Sequence, residues 1–435
     1  MSLHDELNNL ERYPFHMPGH KRNKKFGIAG AEIDITEIDG FDNLHSPDGL
    51  LLDIENRLTS HYKSKKSFML VNGSTVGILA AIFTVCDRGD TIIIARNCHK
   101  SVFNACFLLE LNIAYLEPEF DCECGYYTNI TQGEADRVTS LHPEAKAVVI
   151  TSPTYEGIIS EIHTSAVLIV DAAHGAHLGI KPFCAYPHGD IVISSLHKTL
   201  PALTQTAVAN IYNEKLTDRY KKFIDILETS SPSYVLMNSV DICTCYLNSC
   251  GKDFKRYYVK LKELHGTGLK WLRIKHSDDL SKVVVSTAGA GISAPEAAEV
   301  FRNRYNIEME AVGKEHLIFM TSVADSNDEL LKLQMAIIGV DTECDKKSGN
   351  FRFAKPPQVD GLIKIAVDGG GSLTDINESE GLTAAEYVFA YPPDIPIIVP
   401  GEIITPEIIA YVTALLKEGV NVISDSGNLP KVLTK

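Results

Sequence analysis

Between residues 91 and 195 the chain repeats one pattern: a short β-branched run, a polar or Gly/Pro break, then a helical stretch. The runs are TIIIA, IAYLEP, AVVITSP, AVLIVD and DIVISS. SFMLV precedes them, following an amphipathic LLDIENRLTSHY. Continuous apolar strands separated by helices predict a largely parallel sheet covered on both faces. Sheets of this kind take ligands beyond the carboxyl ends of their strands. Residues just after each run are therefore where chemistry is expected.

The rest of the chain is organised around that core. At 435 residues it calls for a large domain with a smaller partner. Residues 1–46, rich in His, Pro, Gly and charge, read as an arm. Residues 47–282 read as the large domain, which turns helical from about 215. KVVVST then opens a smaller domain, 283–435, containing a loop at DGGG (Asp368–Gly371) and a Pro-rich extended segment, AYPPDIPIIVPGE. The uncharged stretch Ser67–Cys86 is long enough to span a bilayer, but Asn72-Gly73-Ser74-Thr75 interrupts it, and strand, turn and buried helix are expected instead. The N-terminus lacks a basic flank before an apolar run and does not read as a secretory signal. Ten cysteines, with C-x-C pairs at Cys122/Cys124 and Cys243/Cys245 and no C-x-x-C, read as reduced thiols of a cytoplasmic protein; no metal site is expected. A net charge of −15 argues against nucleic acid and anionic membranes as partners and favours cationic substrates.

Four strand-end elements carry the chemical argument. Lys198 follows DIVIS in Ser-Ser-Leu-His-Lys-Thr; a single lysine is usually a solvated one, but at a strand end it is also where a Schiff-base amine would be held. Asp171 follows VLIV, and a turn or cap Asp is its ordinary role. A carboxylate there also suits pyridoxal phosphate, whose ring nitrogen must stay protonated to accept electrons from a broken bond at Cα. Val71-Asn72-Gly73-Ser74-Thr75, between a strand and a helix, offers a permissive glycine, two hydroxyls and a helix N-terminus. It serves equally as an N-cap or a phosphate cradle, and lacks the nucleotide P-loop pattern. His99, in Arg-Asn-Cys-His-Lys-Ser after TIIIA, is placed to stack on a planar ring, though a lone His is more often structural.

In this order the chain resembles the Orn/Lys/Arg decarboxylases, in their short bacterial form, which lacks the receiver-like N-terminal domain of the longer enzymes. The matching segments are FHMPGHK, DITEIDGFDNLHSPDG, VNGST, HKS, TSPTYEG, DAAHGAH, SLHKTLPALTQTA and YPPDIPIIVPGE, spread nearly end to end. The resemblance implies an α/β, aspartate-aminotransferase-like fold: PLP-dependent transferase fold type I, with a mainly parallel seven-stranded sheet and a smaller C-terminal α+β domain. It implies pyridoxal 5'-phosphate as cofactor and a basic amino acid, arginine, lysine or ornithine, as substrate of a carboxy-lyase, in polyamine metabolism or in acid resistance. Lys198 would be the Schiff-base lysine, Asp171 the partner of the ring nitrogen and His99 the stacking residue. Ser74, Thr75, Ser195 and His197 would meet the phosphate, with Gly73 in the same turn, and His174 would lie beside the cofactor. His197 or Lys198 would return a proton to Cα. Glu402 and Asp394 are candidates for the cationic end of the substrate, and both are equally readable as solvated acids. A homodimer or larger homo-oligomer is implied. Ala172 departs from the family's Glu or Ser, and Asp394 stands where the family has Gly.

Rival readings remain open from the residues alone. Another PLP lyase or an aminotransferase would use the same cofactor residues. A non-catalytic homologue would not need Lys198, Asp171 and His99 together. KVVVS followed by Gly289-Ala290-Gly291-Ile292-Ser293-Ala294, with Glu308 and Glu310 downstream, formally fits a dinucleotide fingerprint and an NAD-linked oxidoreductase.

Overall fold

The computed structural model describes residues 2–346, 352–359, 361–365, 370–390, 395–417 and 419–435. The chain divides into two compact units, Met1–Val85 with Ile169–Lys255, and Cys86–Leu168 with Arg256–Lys435.

In the first unit the strands lie in the order Lys66–Leu70, Ala207–Ile211, Ile191–Ser195, Val167–Asp171. The last two run parallel, with Asp171 opposite Ile193. Ala207–Ile211 runs antiparallel to both of its neighbours. Every residue of Ile191–Ser195 and Ala207–Ile211 is buried, as expected of strands covered on both faces. The helix Gly73–Val85 packs closely on this layer because residue 77 is glycine: a Cβ there would meet Leu70 Cδ1 at 2.7 Å and Ile193 Cγ2 at 2.9 Å. Ser67–Cys86 is thus a strand, a turn and a helix, and no helix among the described residues is long and apolar enough to cross a membrane.

In the second unit Ala147–Thr151, Thr91–Ala95 and Asn112–Leu116 are parallel neighbours. Together with the four of the first unit these make seven five-residue strands, the number the family resemblance implies. A two-residue strand, Ile363–Lys364, adds to the edge of Asn112–Leu116, and no apolar run announces it. The same unit holds an antiparallel sheet in the order Arg273–Ile274, Lys282–Ser286, His316–Met320, Ala311–Val312. Helices Ala294–Tyr305 and Asn327–Glu343 close its core, built on Val283, Phe301 and Ile337. A second antiparallel sheet, Ile395–Ile398, Val388–Ala390, Val422–Ser424, shares a core with the helix Pro406–Lys417. All ten cysteines are free thiols.

This arrangement removes the dinucleotide reading. Lys282–Ser286 pairs antiparallel on both sides, whereas the fingerprint needs a parallel strand–helix–strand crossover. Gly291 and Gly289 are packing residues, since a Cβ on them would lie 3.1 Å from the Asp345 carbonyl and 3.2 Å from that of Trp271. Ser293 and Glu296 form a capping box. Glu308 is bonded to Arg302, and Glu310 accepts from the Tyr155 hydroxyl.

Candidate active site

Two parallel strands of the first unit end side by side, and main-chain hydrogen bonds stitch their ends and the turn beyond Asp171 together. The Ala172 N–H donates to the Ile193 carbonyl at 2.8 Å, and the Ser195 N–H to the Ala173 carbonyl at 3.3 Å. Asp171, the last residue of its strand, is 4% exposed, and its Oδ1 accepts the Ala173 N–H at 3.1 Å. The turn brings buried His174 over the neighbouring strand end, where Nε2 lies 3.0 Å from Lys198 Nζ. Lys198 is half-buried in the four-residue helix Leu196–Thr199. The strand-end Asp and Lys thus belong to one locality, joined through His174.

The phosphate-type elements converge on the same strand end. Ser195, fully buried, donates its Oγ hydrogen to Ser74 Oγ at 3.0 Å. Ser74 and Thr75 are the second and third residues of the helix Gly73–Val85, half-buried and exposed respectively. Gly73 has φ +77, the left-handed region where a side chain is strained, and its N–H donates to the Gln205 carbonyl at 2.8 Å. His197 Nδ1 is 2.8 Å from the Thr206 carbonyl. Only a protonated nitrogen bonds a carbonyl, so the neutral ring carries its proton on Nδ1.

These donors fit pyridoxal phosphate by their chemistry. A half-buried amine can take up an aldehyde, a buried carboxylate can face a protonated ring nitrogen, and hydroxyls at a helix N-terminus suit a phosphate.

The remaining candidates lie in the second unit. His99 is exposed and caps the helix Lys100–Leu108, its Nδ1 accepting the Ser101 N–H at 3.2 Å. Glu402 is no solvated acid: its side chain is wholly buried. Oε1 accepts the Tyr115 hydroxyl at 2.9 Å, Oε2 accepts the Val399 N–H at 2.9 Å, and Arg96 lies 3.4 Å away. Burial pushes the Glu402 carboxyl up, and Arg96, Val399 and Tyr115 oppose that shift. Asp394 lies outside the described residues. Among the described residues no cluster of three or more His, Cys, Asp or Glu could hold a metal ion.

Two buried contacts of these segments are not legible from sequence. Arg96 sits in the Arg-Asn-Cys-His-Lys-Ser segment, but nothing local marks it as the partner of a residue 306 positions away. Glu228, after the helix Thr217–Leu227, accepts the Val71 N–H at 2.7 Å, and no motif flags it.

With this geometry in view, the similarities to known proteins are specific. The chain matches the family model described as Orn/Lys/Arg decarboxylase, major domain, over residues 5–264, and that family's C-terminal domain over 363–421. It is 28% identical to an arginine decarboxylase of Bacillus subtilis (strain 168), over 94% of this chain and 91% of the relative. Among solved structures, the constitutive lysine decarboxylase of Escherichia coli superimposes with a TM-score of 0.77 at 16% identity, covering 100% of this chain and 81% of that one. A structure of SPT with PLP superimposes with a TM-score of 0.53 at 14% identity, covering 66% of this chain and 75% of that one. The last two likenesses speak to fold.

Proposed function

Given that this chain belongs to the Orn/Lys/Arg decarboxylase family, we propose that it removes the α-carboxylate of arginine, lysine or ornithine as CO₂, leaving agmatine or a diamine, with pyridoxal phosphate held on Lys198. One observation carries this reading: the Lys198 amine lies 3.0 Å from His174, in the turn that follows Asp171, a residue 4% exposed at the end of the adjoining parallel strand.

Bound there, pyridoxal phosphate supplies an electron sink for the pair left on Cα when the carboxylate departs. The protein's part is to hold and to move protons. Lys198 anchors the aldehyde carbon, and His174 orients the amine. Asp171 keeps a proton on the ring nitrogen, because a buried anion favours the cationic ring. Ser74, Thr75 and Ser195 hold the phosphate at the helix N-terminus. Lys198 or His197 returns a proton to Cα. His197 would do so from Nε2 and only as the imidazolium, since its Nδ1 proton is committed to the Thr206 carbonyl. By family likeness His99 is the ring-stacking residue. We also take residues 1–46 as an arm, 47–282 as the large domain and 283–435 as the small one, in a cytoplasmic homodimer or larger homo-oligomer.

The test is to incubate purified protein and pyridoxal phosphate with each of the three amino acids and measure CO₂ and the amine formed. Stoichiometric CO₂ and agmatine, cadaverine or putrescine is the expected result. No product from any of them would remove the assignment.

A further inference from the structure

The turn Val71-Asn72-Gly73, which leads into the proposed phosphate helix, is pinned from an unexpected direction. Glu228 Oε1 accepts the Val71 N–H at 2.7 Å, and the next residue, Thr229, donates its N–H to the Asn72 side chain at 3.3 Å. The Glu228 residue is 6% exposed, and its Oε2 has no hydrogen-bond partner. No cation forms an ion pair with it among the described residues. His45, from the preceding loop, bonds Asp225 and the Thr229 carbonyl. Lys221 bonds Asp225, and Glu55, on the helix Leu50–Tyr62, is paired with Lys66. Tyr220, on the helix Thr217–Leu227, faces Glu228 as a neutral phenol. Burial pushes the Glu228 carboxyl up to about 7, opposed first by the Val71 hydrogen bond, then by the field of His45 and the nearby Asn72 N–H; Glu55 adds to the rise.

We propose, resting on the reading of the Lys198 site as a pyridoxal phosphate site, that Glu228 positions the phosphate loop and takes up a proton when the cofactor's phosphate binds. A phosphate dianion at this turn and a buried carboxylate anion repel one another, and low dielectric enlarges that repulsion. The protonated carboxyl escapes it. Its carbonyl oxygen still accepts the Val71 N–H, and the proton sits on Oε2, the oxygen that this bond leaves unused. The proton comes from solvent and no covalent bond changes. Because coupling is reciprocal, acidification must tighten phosphate binding through this residue.

The experiment uses pyridoxamine phosphate, which carries the phosphate but no aldehyde to react with Lys198. It is titrated into the cofactor-free full chain, wild type and Glu228→Gln, from pH 6 to pH 8.5. The amide stays neutral throughout. Affinity in the wild type should fall across this range by about fivefold or more relative to the variant. The same pH dependence in both proteins would overturn the inference and leave the cofactor reading standing. Failure of both proteins to bind would overturn the cofactor reading, and the inference with it. A second measurement reads the proton directly. Calorimetry of both proteins with inorganic phosphate at pH 8, in two buffers of different ionisation heat, gives protons exchanged per phosphate bound, and exchange by the phosphate itself is common to the two. Greater uptake by the wild type supports the inference, and equal exchange in both overturns it.

Discussion

Lys198 and His174 are held 3.0 Å apart by a turn whose backbone is bonded to the neighbouring strand, so their contact is built by main chain rather than by side-chain packing. Glu402 shows the opposite case, a residue whose place in a motif suggested substrate contact while its oxygens are spent on Tyr115, Val399 and Arg96. Glu402→Ala strands a guanidinium that is 3% exposed, and removing one partner of a buried pair costs about 3–5 kcal/mol. A large drop in denaturation midpoint is therefore expected; an unchanged midpoint with only a raised KM would show a substrate-binding role instead. Glu228 gives a pH-dependent prediction. Its carboxyl rises from 4.5 to about 7 in the folded protein. Folding thus favours the protonated form: stability through this group is highest below the unfolded value and declines as pH rises toward 7. Glu228→Gln should gain on the wild type by up to about 3 kcal/mol between pH 5 and pH 8, read from denaturation midpoints at each pH. Glu156, buried and also pushed up to about 7, is unchanged by that substitution and cancels in the comparison. The strand-end positions of Lys198 and Asp171 were legible because apolar runs lead directly into them. The roles of Arg96 and Glu228 were not, because each depends on a partner more than 150 residues away.

At the scale of elements, apolar runs announced most of the strands, and one exception is instructive. Ala207–Ile211 reads AVANI, with Asn210 breaking the run. Asn210 is fully buried, accepting from Ser67 Oγ at 2.6 Å and donating to the Tyr186 hydroxyl at 2.8 Å, so its polarity is satisfied inside the sheet. A hydropathy pattern cannot register partners supplied by another strand and a loop distant in sequence. The fit of the helix Gly73–Val85 against the strands makes a further prediction. Gly77→Ala drives a methyl into Leu70 and Ile193, overpacking that costs about 1–3 kcal/mol. It should also weaken cofactor retention, because Ser74 and Thr75 ride on the same helix. Gly73→Ala meets open space, and only its φ of +77 opposes it, at about 1–2 kcal/mol. An unchanged or raised melting temperature for Gly77→Ala would contradict this account of the helix contact.

Over the whole molecule, family likeness, fold and local chemistry agree from separate kinds of observation. The family match spans residues 5–264 and 363–421, while the strand-end cluster stands on distances and burial alone. A net charge of −15 is consistent with a cationic substrate, without choosing among arginine, lysine and ornithine. The most direct measurement is borohydride reduction of the protein loaded with pyridoxal phosphate, followed by peptide mapping. A single pyridoxyl group on the peptide containing Lys198, absent from Lys198→Ala, is the predicted result. A label on a different lysine, or trapping undiminished in that variant, would contradict the account.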